Sequence, residues 1–159
     1  MSSTVRALLD TTYLLPSFGI RVRGLTRSDL AKMREAGLNG DVKYFCLSAC
    51  WVELIGKVVR EASRVELNLN SIVRRSVPSL LRSGLYRWID PPDEAVLLAF
   101  RLRAEGHKDA VDNLLYATAL VQGMRFITMD EALRKFLEER GYETGILVTH
   151  RELLRLIKR

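Results

Sequence analysis

Apolar residues along the chain come in runs of four to six, separated by longer segments in which they recur every three or four positions. A short apolar run bounded by polar residues reads as a buried strand, and the longer period as a helix with one face inward. The runs predict strands over Val5–Leu9, Val42–Leu47, Leu85–Ile89, Arg125–Met129 and Ile146–Thr149. The segments between them predict helices over Arg27–Ala36, Ala49–Val65, Leu69–Arg82, Pro92–Ala104, Ala110–Gln122, Glu131–Arg140 and Arg151–Lys158. In the helix at 49–65, Val52, Ile55, Val59 and Ala62 fall on one face; the helix at 110–122 opens on acids and is closed by Gly123. Asp90-Pro-Pro predicts a sharp helix start, since Pro suits the first helical position and Asp the cap before it. Strands alternating with helices point to an α/β fold with a central parallel sheet of about five strands flanked by helices. Two helices in succession between the second and third strands predict a bulge beyond the minimal repeat.

Composition narrows this to one domain over residues 1–159: the chain is 48% hydrophobic and 28% charged, with only 10 Gly and 4 Pro and no repeat of fixed period. The longest uncharged stretch, Asn113 to Met124, is about a dozen residues, short of the roughly 20 a membrane span needs. The opening ten residues reach Asp10 without an apolar region of signal-peptide length, and the expected location is cytoplasmic, with no membrane partner. Cys46 and Cys50 read as buried free thiols, and His107 and His150 share no finger-like spacing with them. The net charge is +6, and Arg, whose planar fork suits phosphate, supplies 19 of the 25 cations. A polyanionic partner and a merely solvated basic surface both satisfy that balance.

Ligands on an open parallel sheet bind at the carboxyl ends of the strands, so acids there are the candidate chemistry. Asp10 follows the first strand directly, and Asp130 follows the fourth in Phe126-Ile-Thr-Met-Asp130. Glu53 lies one turn into the helix after the second strand; Asp112 lies in the first turn of the helix at 110–122, with Asp109 three residues earlier. Singly, Asp10, Asp109 and Asp130 are ordinary helix caps, and Glu53 and Asp112 are acids near positive helix ends. Together they would crowd like charges at one sheet edge, which makes sense if a cation fills the gap. All-oxygen ligands select hard ions, Mg²⁺ or Mn²⁺.

Leu8-Leu-Asp10-Thr-Thr-Tyr, Ser48-x-x-x-x-Glu53, Asp112-Asn-Leu-Leu-Tyr-Ala-Thr-Ala and Phe126-Ile-Thr-Met-Asp130, in this order, resemble the PIN-domain nuclease family across nearly the whole chain. The resemblance implies a metal-dependent endoribonuclease acting on single-stranded RNA, either a VapC-type toxin, which would have an antitoxin protein as partner, or an RNA-processing enzyme. It makes Asp10, Glu53, Asp112 and Asp130 the metal-binding acids, Thr11 and Thr128 hydroxyl supports, and Asp109 an accessory ligand. An alignment using Asp109 in place of Asp112 would put Asp112 and Asn113 where apolar residues belong. The stretch from Gly19 to Gly40 and the two-helix segment before Trp88 depart from the small toxins of the family. PIN-like proteins are commonly dimers, so a homodimer is expected.

The chemistry implied is phosphodiester hydrolysis by a metal-activated water, with no protein nucleophile; the chain has no Gly-x-Ser-x-Gly elbow and no Walker A loop. The basic stretches Arg21–Arg34 and Lys57–Arg87 can track an RNA backbone, with Arg74, Arg75, Arg82 and Arg87 the candidate phosphate contacts, or can be solvated helix faces. Tyr13, Phe18, Tyr86 and Trp88 are candidates to stack on bases or to fill the core. Two rivals stand beside this reading: a signalling receiver domain, which wants paired acids after the first strand that are missing here, and a catalytically idle PIN-like module that binds RNA or protein in a larger assembly.

Overall fold

A computed structural model of the chain describes residues 3–158. Five parallel strands, β1 (Val5–Leu9), β2 (Val42–Leu47), β3 (Tyr86–Ile89), β4 (Arg125–Ile127) and β5 (Leu147–Val148), form one sheet in the order β3-β2-β1-β4-β5. Among the described residues, seven α-helices flank it: α1 (Arg27–Leu38), α2 (Cys50–Arg64), α3 (Leu69–Arg82), α4 (Asp93–Ala104), α5 (Ala110–Gln122), α6 (Glu131–Glu139) and α7 (His150–Ile157). A 3₁₀ helix, Thr11–Phe18, follows β1; the sequence reading missed it. It holds Pro16 and ends at Gly19, whose φ of 77° is a left-handed stop that a side chain would resist.

The order of the strands decides where a ligand can sit. From β1 the chain winds outward through β2 to β3, then returns across the sheet through α4 and α5 to β4 on the other side of β1. The winding thus reverses direction at β1, and a reversal of this kind leaves a crevice above the carboxyl ends of the two strands that flank it, β1 and β4. Ala7, Leu8 and Leu9 are buried because β1 is the central strand, covered on both faces.

Several expectations are corrected at their edges. β4 stops at Ile127: Thr128 still donates its backbone N–H to Val148, but its side chain turns to the crevice. β5 keeps only two residues, because Thr149 becomes the cap of α7 and trades hydrogen bonds with Glu152 in a capping box. Asp90 caps nothing; its carboxylate accepts from the Ser48 hydroxyl at 2.5 Å, tying the ends of β2 and β3, and α4 starts after Pro92 instead. The largest correction concerns α2. Val52 and Ile55 are 73% and 64% exposed, and of the four residues read as one face only Ala62 is buried. The core takes Cys50, Leu54, Val58 and Ala62, one residue per turn along the i, i+4 row. Tyr13 and Phe18 are buried as core aromatics, and Trp88 stacks on Trp51 with ring centroids 4.9 Å apart. Both cysteines are buried free thiols.

Candidate metal centre

The crevice between β1 and β4 is a cavity of about 400 Å³. Asp10, Glu53, Asp109, Asp112 and Asp130 all line it, together with Thr12, Val22, Arg23, Lys57 and Met129. Five carboxylates drawn from four separate stretches of sequence meet here: Asp10 directly follows β1 and Asp130 closely follows β4, Glu53 lies in the first turn of the helix after β2, and Asp109 and Asp112 come from the start of α5, which follows α4 without a strand between.

Each acid is held differently. Asp10 is buried and caps no helix; its Oδ2 accepts the Thr128 hydroxyl at 2.7 Å. The same Thr128 oxygen accepts the backbone N–H of Asp130 at 3.1 Å, so one hydroxyl links the ends of β1 and β4. Asp130 caps α6 through the backbone N–H of Leu133, and Asp109 caps α5 through that of Asp112. Glu53 receives the Thr11 hydroxyl on Oε1 at 3.1 Å and faces Lys57 Nζ with Oε2 at 3.3 Å. Thr11 and Thr128 are both buried. Asn113, also buried, donates from Nδ2 to the His107 carbonyl and places Oδ1 2.6 Å from His107 Nδ1, which pins the loop that presents Asp109.

The electrostatics record the crowding. Burial pushes the Asp10 carboxyl up from 3.8 to about 6, with Glu53 and Asp130 adding to the rise and the Thr128 hydrogen bond and Lys57 opposing it. Asp112 is pushed up to about 8, first by burial and then by the charges of Asp10, Asp109, Asp130 and Glu53. Carboxyls that hold protons near neutrality are short of positive charge. Glu53, Asp109 and Asp112 each offer an oxygen within 4.8 Å of the other two, so this group can hold a metal ion. The donors are all oxygen, as hard divalent ions require.

Sequence reasoning placed all five acids at this edge and named both basic stretches, but it did not put Arg23 of the first and Lys57 of the second in the walls of the acidic cavity. Lys57 had a signal: it stands four residues after Glu53, on the same helix face. Arg74, Arg75 and Arg82 are exposed on α3 and Arg87 on β3, and none of the four lines the cavity. His107 and His150 stay outside it as well; His150 is buried, with Nδ1 2.9 Å from the Tyr13 hydroxyl and Nε2 3.3 Å from Asp29 Oδ2. Among the described residues, no helix is long and apolar enough to cross a membrane.

No protein-family model and no curated protein matches this chain. Among solved structures, a chain of a toxin-antitoxin complex from Klebsiella pneumoniae is similar, with a TM-score of 0.50 and 18% identity over 91% of this chain and 97% of that one. At that identity the likeness speaks for the fold, an α/β domain with an all-parallel five-stranded sheet.

Proposed function

We propose that the protein is a PIN-like, metal-dependent endoribonuclease that hydrolyses phosphodiesters of single-stranded RNA. The observation that carries this reading is the convergence of Asp10, Glu53, Asp109, Asp112 and Asp130 on one cavity at the point where the sheet reverses its winding. Mg²⁺ or Mn²⁺ bound there would lower the pKa of a bound water and stabilise charge on the phosphate oxygens. Asp10, Glu53, Asp112 and Asp130 are the proposed ligands, with Asp109 as accessory.

The chain's own part is positioning. Thr128 fixes the carboxylate of Asp10 and the start of α6 with one oxygen, and Thr11 fixes that of Glu53. Asp109 and Asp130 each have one carboxylate oxygen fixed by the helix end they cap, and both residues line the cavity beside a positive helix terminus. Burial and the neighbouring carboxylates push the Asp112 carboxyl up to about 8, and a cation held there would favour its ionised form. No step asks for a side-chain nucleophile.

The partners proposed are single-stranded RNA, a second copy of the chain and, on the toxin branch of the reading, an antitoxin protein. That branch draws its support from the similar chain, which comes from a toxin-antitoxin complex. The proposed location is the cytoplasm. Mixed-sequence single-stranded RNA incubated with parent protein and with Asp112→Asn, each with and without Mn²⁺, tests the activity. The expected result is cleavage by the parent with Mn²⁺ alone, with the variant slower by orders of magnitude. Equal cleavage by the variant, or none by the parent, removes the nuclease.

A further inference from the structure

Lys57 stands one turn beyond Glu53 on α2, with Nζ 3.3 Å from Glu53 Oε2. The other oxygen of Glu53 accepts from Thr11. Glu53 is therefore held on one side by a neutral hydroxyl and on the other by a full positive charge, while its carboxylate also belongs to the trio that can hold an ion. An ion and an ammonium cannot both sit on one carboxylate oxygen without strong repulsion. A cation seated on Oε2 would displace Lys57, whereas Oε1 is already held by the Thr11 hydroxyl.

The side chain is built to yield. It is 37% exposed against 18% for Glu53, so moving away buries no charge. Its stem has four flexible carbons and ends in three donors that can turn freely, unlike the rigid fork of an arginine. The pair joins two side chains one turn apart on the same helix, a link whose loss costs the helix little. A phosphodiester approaching a cavity with five carboxylates needs positive charge at its mouth, and among the residues lining the cavity only Arg23 and Lys57 supply it. Arg23 forms no salt bridge among the described residues, so it competes with an ion for no particular oxygen.

We propose that Lys57 is an exchangeable counter-ion and phosphate-positioning residue: it holds Glu53 in the ion-free protein and turns to a non-bridging oxygen of the substrate phosphate once a divalent ion takes Glu53. This rests on the ribonuclease reading above. It gives Lys57 two opposite effects, against ion binding and in favour of substrate binding, and a purely structural lysine would have neither.

Isothermal calorimetry of Mn²⁺ binding to the RNA-free protein, followed by cleavage kinetics on an unstructured RNA oligonucleotide, separates the cases for parent, Lys57→Met, Lys57→Arg and Arg23→Met. Lys57→Met should bind Mn²⁺ several-fold more tightly than parent and more tightly than Arg23→Met, because the direct competitor is gone. Its KM for RNA should rise about tenfold, the loss of one hydrogen bond between charged groups, with a smaller change in kcat. Lys57→Arg should return KM toward the parent value. Ion-free melting temperatures should be alike for parent and Lys57→Met, which excludes misfolding as the cause. If parent binds Mn²⁺ and cleaves, while Lys57→Met binds Mn²⁺ no better than Arg23→Met or keeps the parent KM, the role of Lys57 is refuted and the nuclease stands. If the parent takes up no Mn²⁺, both fall together.

Discussion

At the scale of single residues, Asp10, Asp109 and Asp130 look alike in sequence: each is an acid between a strand or loop and a helix, a natural cap. Two of them are caps. Asp109 and Asp130 accept backbone N–H groups at the starts of α5 and α6, whereas Asp10 makes no capping bond and its carboxylate instead takes the Thr128 hydroxyl. That difference separates their expected effects on stability. Asp130→Ala should cost about 1 kcal/mol in the absence of ions, the usual worth of a cap. Asp10→Asn keeps an oxygen for Thr128 and removes a buried charge from a like-charged cluster, so ion-free stability at pH 8 should stay equal or rise by about 1–3 kcal/mol. Urea midpoints in EDTA measure both; an Asp10→Asn protein less stable than Asp130→Ala would mean that the carboxylate of Asp10 is a structural need rather than a strained one. No sequence rule distinguishes these acids, because capping depends on whether the following backbone is α-helical, and after β1 it is a 3₁₀ turn.

At the scale of elements, the strands and helices were legible because runs and periods reflect burial: β1, β2, α3 and α5 begin and end where the pattern puts them. What the pattern could not resolve was which apolar row of α2 faces the core. The helix carries two rows, Cys50-Leu54-Val58-Ala62 and Val52-Ile55-Val59, and only the packing of the 3₁₀ helix and the sheet beneath it selects the first. The second stays exposed beside a groove of about 360 Å³ lined with Phe18, Leu54, Ile55, Val59, Val73 and Leu81. Leu54→Ala should cost 2–5 kcal/mol by thermal denaturation, as a buried leucine does when truncated, while Ile55→Asp should change stability by less than about 0.5 kcal/mol. The Ile55→Asp variant also bears on the proposed homodimer. An exposed apolar strip of this kind is a natural surface for self-association, so light scattering should give about twice 18.1 kDa for the parent and 18.1 kDa for Ile55→Asp. A parent that scatters as a monomer at micromolar concentration disposes of the dimer.

The whole molecule carries a net charge of +6 yet concentrates five carboxylates in one cavity, and its stability should record that conflict as a dependence on pH. Asp10 and Asp112 have folded-state values raised from 3.8 to about 6 and about 8, so between those limits the native state holds protons that the unfolded chain has released. Stability then falls as pH rises: the loss starts just above pH 4 and is complete once pH passes the folded values. For Asp10 alone, a rise of about two units corresponds to roughly 3 kcal/mol. His150 works the other way. Burial lowers its value from 6.5, so the fold favours the neutral ring, and stability is lost as pH drops below that of the unfolded histidine. Asp29, lowered by its Thr26 hydrogen bonds, has delivered its whole contribution by pH 5, and the buried cysteines enter only near pH 9. Between pH 5 and 8.5 the outcome is thus a contest of two raised acids against one lowered histidine, and two acids with larger shifts should win. Urea denaturation in EDTA should show stability declining across this range, while excess Mn²⁺ should remove most of the decline, because an ion bound only by the native state compensates the charges that deprotonation exposes. Asp112→Asn in EDTA should flatten the profile, and with Asp10→Asn added the remaining slope should turn upward through pH 6.5 as His150 alone is left. A parent protein that gains stability steadily from pH 5 to 8.5 without ions would show that the cavity's carboxylates are not under strain, and the argument for a cation there would lose its physical basis.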